Sequence, residues 1–185
     1  MTARKIGICS GTFDPIHEGH VAFIEAAIAH CNLDVVYIIP EQQPRGKQHV
    51  TAFEHRVAMA RQVESARIQV RTVPAKNVGL QELEAMITKH DQLYLLIGTD
   101  VALSLKTWPD FDRIRQLMQF VIGIRSDADA TRIHTLMAHL EIAPSRYSCI
   151  KTDKWEQSSS RIRASRRHTN EDIEKYIQTH ALYEV

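Results

Sequence analysis

Ten residues near the amino terminus, Gly11-Thr12-Phe13-Asp14-Pro15-Ile16-His17-Glu18-Gly19-His20, have the types and spacing that suit the binding of a polyphosphate. An apolar run, Ile6-Gly7-Ile8-Cys9, precedes them, and an amphipathic run, Val21 to Ala29, follows. A strand feeds a small-residue turn, and the turn feeds a helix N-terminus. Free backbone N–H groups and the positive end of the helix dipole make such a junction attractive to anions. His17 and His20 are three residues apart, so in a helix they share one face and can donate hydrogen bonds to a phosphate chain. A β–α turn with two surface histidines would show the same letters.

A second group lies near the other end of the chain: Ser158-Ser159-Ser160-Arg161-Ile162-Arg163. Small hydroxyls at a helix start leave N–H groups open to phosphate oxygens. An arginine one turn inside adds a fork of donors. The alternative is a plain serine N-cap on an arginine-rich surface helix.

The elements that must hold these residues alternate along the chain. Lys5 to Cys9 reads as a strand, and His20 to His30 as a helix. Val35 to Ile39 is a β-branched run stopped by Pro40, hence a second strand. Glu41 to Val50 is a polar loop containing Pro44-Arg45-Gly46-Lys47. Thr51 to Glu64 reads as a helix, with Thr51 as N-cap and Glu54 completing a capping box. Arg67 to Val73 alternates as a third strand, and Leu80 to Lys89 is helical. Leu93 to Ile97 is nearly pure apolar, the mark of a strand buried on both faces. Helical segments broken by Pro109 follow, then a fifth apolar strand at Phe120 to Ile124 and a helix at Ala130 to Leu140. A short strand at Tyr147 to Ile150 and two helices, Ser159 to Arg166 and Asn170 to Thr179, close the chain. The pattern predicts an α/β fold: a Rossmann-like, doubly wound parallel sheet of about five strands with helices on both faces and a helical C-terminus. Ligands in such sheets bind beyond the carboxyl ends of the strands, at the topological switch point, which is where Gly11 to His20 falls.

The 185 residues suit one domain spanning 1–185. Hydrophobic residues make up 44% and charged residues 24%, ordinary for a globular chain. A net charge of +1 supplies no field that would draw nucleic acid or an acidic membrane surface. The arginines at 161, 163, 166 and 167 read as a solvated helix face. Cys9, Cys31 and Cys149 lack metal-ligand spacing and read as buried free thiols of a reducing compartment. No apolar stretch reaches the ~18–20 residues of a membrane span, and no signal-peptide core follows Arg4 and Lys5. The expectations are a cytoplasmic protein with no resident metal site and neither nucleic acid nor membrane as partner. A homo-oligomer is left open.

Gly11-Thr12-Phe13-Asp14-Pro15-x-His17-x-Gly19-His20 resembles the signature of the nucleotidyltransferase superfamily, whose mark is His-x-Gly-His after a first strand. Ser158 to Arg163 resembles that family's Ser-Ser-Thr-x-Ile-Arg motif, with Ser160 in place of Thr and Gln157 where Ile is usual. Between them, Leu96-Ile97-Gly98-Thr99-Asp100, then Leu105, Trp108 and Phe111, resemble a segment of the nicotinate mononucleotide adenylyltransferase branch. Weaker resemblances to that branch follow in the same order along the chain: Pro44 to Lys47, His55-Arg56, Arg125 after the fifth strand, and Ile173-x-x-Tyr176-Ile177 … Leu182-Tyr183. The branch's Ser-Tyr-Thr segment before the fourth strand is absent here; Asn77-Val78-Gly79-Leu80-Gln81-Glu82 stands in its place. The region after Arg163 is also shortened.

The resemblance implies transfer of AMP from ATP to nicotinate or nicotinamide mononucleotide, with release of pyrophosphate. It implies ATP contacts from Gly11, Thr12, Phe13, His17, His20, Gly98, Asp100, Ser159, Ser160, Ile162 and Arg163. His17, His20, Lys47 and Arg163 would do the catalytic work on the phosphates. Gly98 would admit the nucleotide to a strand end, and Asp100 would accept from a ribose hydroxyl or serve as a helix N-cap. Asp14, Lys47, Trp108 and Arg125 would meet the acceptor, with Trp108 stacked on its ring unless it is a core aromatic. Magnesium is expected on the ATP phosphates. Two other readings stand beside this one: a different phosphorylated acceptor such as phosphopantetheine, and a nucleotide-binding regulator without turnover.

Overall fold

A computed structural model describes residues 3–44, 46–86, 88, 91–152, 158–168 and 170–184. Six strands lie in one sheet: β1 (Lys5–Gly11), β2 (Val35–Pro40), β3 (Ile68–Val70), β4 (Gln92–Gly98), β5 (Met118–Ile124) and β6 (Tyr147–Lys151). Their order is β3-β2-β1-β4-β5-β6 and every pairing is parallel. Six strands agree with the expected sheet of about five, and the short Tyr147 strand pairs along β5, with Phe120 opposite Tyr147 and Ile124 opposite Lys151. The order reverses between β1 and β4, so the switch point lies where β1 ends at Gly11 and β4 ends at Gly98.

Alternation along the strands divides the core in two. Ile6, Ile8, Tyr37, Ile39, Leu93, Leu95, Ile97, Phe120 and Ile122 face one side. There they meet α3 (Leu80–Ala85), α4 (Thr99–Ala102), α5 (Phe111–Leu117) and α6 (Asp127–His139) through Leu83, Ala102, Ile114, Ile133 and Met137. Cys9, Val36, Ile38, Tyr94, Leu96 and Val121 face the other side. They meet α1 (Glu18–Cys31), α2 (Phe53–Arg61), α7 (Ser159–Ser165) and α8 (Glu171–Thr179) through Phe23, Ile24, Met59, Ile162, Ile173 and Ile177. Both donor-rich segments, Gly11 to His20 and Ser158 to Arg163, therefore sit on one side of the sheet.

Several local expectations need correction. Thr51 does not cap α2; Ala52 does. The Thr51 N–H donates to Asp14 Oδ2 at 3.1 Å and its carbonyl accepts from Arg56 Nε at 2.9 Å, so both backbone groups serve tertiary partners. β3 is shorter than Arg67 to Val73, because the Gln42 amide takes the Val73 carbonyl at 2.9 Å and Pro74 has no N–H to offer. α3 ends at Ala85; Lys89, the expected end, lies outside the described residues, as do Arg45 and Gln157. The three cysteines are free, but only Cys9 is buried, and burial pushes its thiol up to about 12. Among the described residues no helix is long and apolar enough to cross a membrane.

Candidate functional site: the turn between the first strand and first helix

The turn from Thr12 to Ile16 is held by its carbonyls. Arg56 donates to the Thr12 carbonyl at 2.7 Å, Arg163 to that of Asp14 at 2.7 Å, Ser159 to that of Pro15 at 2.9 Å, and His168 Nε2 to that of Ile16 at 2.7 Å. Four carbonyl oxygens, which would repel an anion, are thus bound by side chains from α2, α7 and the segment beyond it. The Asp14 carboxylate is buried and spent in the same framework: Oδ2 on the Thr51 N–H, Oδ1 on the Tyr183 hydroxyl at 2.9 Å. Phe13 takes a left-handed φ of 48° and is buried, with its ring edge-on to His20 at 5.2 Å. A Cβ at Gly11 would lie 3.2 Å from that Phe13 ring, so the strand end leaves the ring its place.

His17 is the N-cap of α1 and His20 its third residue. Their rings lie 3.8 Å apart between centroids. The His17 N–H donates to His20 Nδ1 at 3.2 Å, so in the neutral ring the proton of His20 sits on Nε2, where it can be donated outward. His17 Nδ1 is buried and has no hydrogen-bond partner among the described residues. Burial, then the nearby charges of His168 and Arg125, lowers His17 to about 4. Burial, then His17 and Lys47, holds His20 well below the ordinary histidine range. Both imidazoles are therefore neutral donors at pH 7.

A stability prediction follows from His17. The unfolded chain takes up this proton near pH 6.5, whereas the native ring resists until about 4. The unfolded state binds more protons in that window, so stability rises with pH across it and is lost as pH falls. Between pH 7 and pH 4 His17 should cost the fold about 3 kcal/mol. Urea unfolding at a series of pH values measures this, and His17→Asn should flatten the slope; an unchanged slope in that variant would refute it.

Lys47 acts electrostatically on His20 and Arg125 on His17, so each imidazole lies in a field of positive sign. In α7, Ser158 caps the helix by accepting the Arg161 N–H at 3.3 Å, Ser160 Oγ accepts from Arg163 at 3.3 Å, and Ile162 is buried in the core beneath the turn. The hydroxyls of Ser159 and Ser160 thus bind α7 to the turn and hold Arg163. At the end of β4, Gly98 is the N-cap of α4, and a Cβ there would meet nothing within 4 Å, which leaves the switch-point crevice open. Asp100 lies exposed in the first turn of α4 and is not its N-cap. Trp108 stands apart from the histidines. It packs on the opposite core, its Nε1 donates to Ser104 Oγ at 3.3 Å, and it lines an open groove of about 620 Å³ with Phe111, Arg115 and Leu140. Among the described residues no ring contact or hydrogen bond joins it to the turn.

Three residues outside the two donor-rich segments organise the site: Arg56, His168 and Tyr183. Arg56 has no exposed surface and also donates to the Gln42 carbonyl at 3.3 Å, so one guanidinium gathers three carbonyls. Its only local signal was the His55-Arg56 pair at a helix start. His168 and Tyr183 act across more than 150 positions, and no spacing rule reaches that far.

The sequence model of the cytidylyltransferase-like family matches residues 8–165. A "probable nicotinate-nucleotide adenylyltransferase" of Roseiflexus sp. is 34% identical, over 99% of this chain and 100% of its own length. The nicotinate-nucleotide adenylyltransferase of Bacillus subtilis is 28% identical over 98% of this chain and 99% of its own. In fold, the chain is similar to the nicotinic acid mononucleotide adenylyltransferase of Plasmodium falciparum solved with NaAD, with a TM-score of 0.69, 20% identity and 97% of each chain covered. The match of the family model over residues 8–165, together with end-to-end likeness to these proteins, shows that the chain belongs to the cytidylyltransferase-like family, in the group of the nicotinate-nucleotide adenylyltransferases.

Proposed function

We propose that the protein transfers AMP from ATP to nicotinate mononucleotide and releases pyrophosphate, a step of NAD biosynthesis. The observation that carries this reading is the tie between the two phosphate-binding segments. Arg163 and Ser159 of α7 hold the carbonyls of Asp14 and Pro15 across 149 and 144 positions of chain, so both segments serve one site.

Adenylyl transfer asks for positioning and charge stabilisation rather than a protein nucleophile. The acceptor phosphate attacks the α-phosphorus of ATP in line, the new P–O bond forms as the bond to the β-phosphate oxygen breaks, and pyrophosphate leaves. His20 donates its Nε2–H to a phosphoryl oxygen as charge develops there. His17 and Arg163 contact the phosphate chain, and Lys47 and Arg125 supply cations to either side. Gly98 and Asp100 take the nucleoside, and the half-exposed indole of Trp108 receives the acceptor's ring. Asp14 serves by holding the turn. The donors gathered at the turn are imidazole N–H groups and cations, which suit phosphate oxygens, while the buried Asp14 carboxylate is engaged by protein donors. The divalent cation thus comes with the substrate, as the magnesium complex of ATP. The unpaired cysteines fit a reducing compartment such as the cytoplasm.

With ATP, Mg²⁺ and nicotinate mononucleotide, pyrophosphate should appear in step with the dinucleotide, and chelation should abolish both. Release of orthophosphate would identify an ATPase. Turnover with phosphopantetheine alone would move the acceptor, and ATP binding without release would mark a regulator.

A further inference from the structure

A hydrogen-bond chain runs from the carboxyl-terminal part of the molecule to His20 through one peptide group. The Asn170 N–H donates to His168 Nδ1 at 2.9 Å, so Nδ1 is an acceptor and this buried ring presents its N–H at Nε2. That Nε2–H donates to the Ile16 carbonyl at 2.7 Å. In a trans peptide the C=O and the following N–H point in opposite directions. The N–H of the same peptide belongs to His17, and it donates to His20 Nδ1 at 3.2 Å. The chain therefore reads His168 Nε2–H to Ile16 C=O, then His17 N–H to His20 Nδ1, with the His20 Nε2–H at its open end. Linked hydrogen bonds polarise one another, so a donor on the carbonyl strengthens the N–H on the far side of the peptide.

We propose that His168 is a positioning residue for the reaction: by gripping the Ile16 carbonyl it orients the Ile16–His17 peptide, and that peptide fixes His20 as the Nε2–H tautomer aimed at substrate. His168 touches neither nucleotide nor acceptor; its effect passes wholly through His20. The grip also explains a local feature of the sequence. The segment after Arg163 runs directly into α8, which sets His168 beneath the turn, and Asn170 caps α8 by accepting the Ile173 N–H at 3.0 Å. The anchor of His168 is thus the start of a helix that the core holds through Ile173 and Ile177.

The inference rests on the adenylyl-transfer reading for its kinetic part, and the test separates the two. Imidazole ¹⁵N correlation spectra of the free wild-type protein should show both His168 and His20 as Nε2–H tautomers; an Nδ1–H signal for His20 overturns the proposal without any variant. In His168→Leu the His20 tautomers should mix, and kcat should fall roughly five- to tenfold with KM for ATP changed less than about twofold. His168→Gln, whose amide can donate to the same carbonyl, should restore most of kcat. Ile173→Val loosens α8 without touching the chain; it should lower Tm and leave kcat and the tautomer unchanged. Wild-type tautomer and rate in His168→Leu, no rescue by glutamine, or an equal loss of kcat in Ile173→Val would each overturn the proposal. Wild-type protein that binds ATP and makes no dinucleotide would sink adenylyl transfer and leave the tautomer result standing.

Discussion

His20→Ala is expected to lower turnover by roughly 10²-fold or more, the scale for losing one transition-state donor, with the fold intact. The ring stands at the third position of α1, where alanine suits the helix at least as well. The variant loses the Nε2–H and leaves the carbonyl-gripping framework of Arg56, Ser159 and Arg163 in place. Because the interaction strengthens as charge develops on the phosphoryl oxygens, kcat should fall far more than KM for ATP rises. Steady-state kinetics with a thermal melt of the same sample checks both halves. A variant that melts like the wild type and turns over at a near wild-type rate would remove His20 from the mechanism.

Arg56→Ala should cost about 3–5 kcal/mol of stability, the range for stripping a partner from a buried polar network. The guanidinium has no exposed surface and satisfies the carbonyls of Thr51, Thr12 and Gln42. Burial lowers its pKa, opposed by the nearby charges of Asp14 and Glu41, and the cation lies 5.6 Å from the Phe53 ring centroid. Alanine would leave a cavity and unbonded carbonyls inside the turn framework. Against a total of about 5–15 kcal/mol, such a loss brings the domain near unfolding. Arg56→Lys should recover little, since a point charge on a flexible stem cannot span three carbonyls as a planar fork does. Urea denaturation at pH 7.5 measures the change, and a loss under about 1 kcal/mol would show that the network is dispensable. Activity should fall along with stability, because the Thr12 carbonyl is freed in the turn proposed to hold the phosphates.

Much of the scaffold was legible because it depends on local periodicity. The pure apolar run Leu93 to Ile97 is β4, buried on both faces, and the strand–turn–helix reading of Gly11 to His20 depends only on neighbours in the chain. The errors fall where a distant partner overrides a local rule. Thr51 carries every local mark of an N-cap, yet its N–H goes to Asp14 and the helix begins later. For Asp100 the sequence left a ribose contact and a helix cap both open, and Gly98 holds the cap position where the strand ends.

The sequence by itself determined the alternation of strand and helix, the two donor-rich segments and the place of the first at the end of β1. Side-chain period and helix-start chemistry act over a few residues, so the letters suffice. Only the tertiary structure decided which groups the protein itself engages. Asp14, Ser159 and Ser160 are spent on the framework, while burial keeps the His17 and His20 rings neutral. That division depends on burial and on hydrogen bonds reaching up to 169 positions along the chain, from Tyr183 to Asp14, and no local pattern encodes which distant donor a carbonyl or carboxylate will meet.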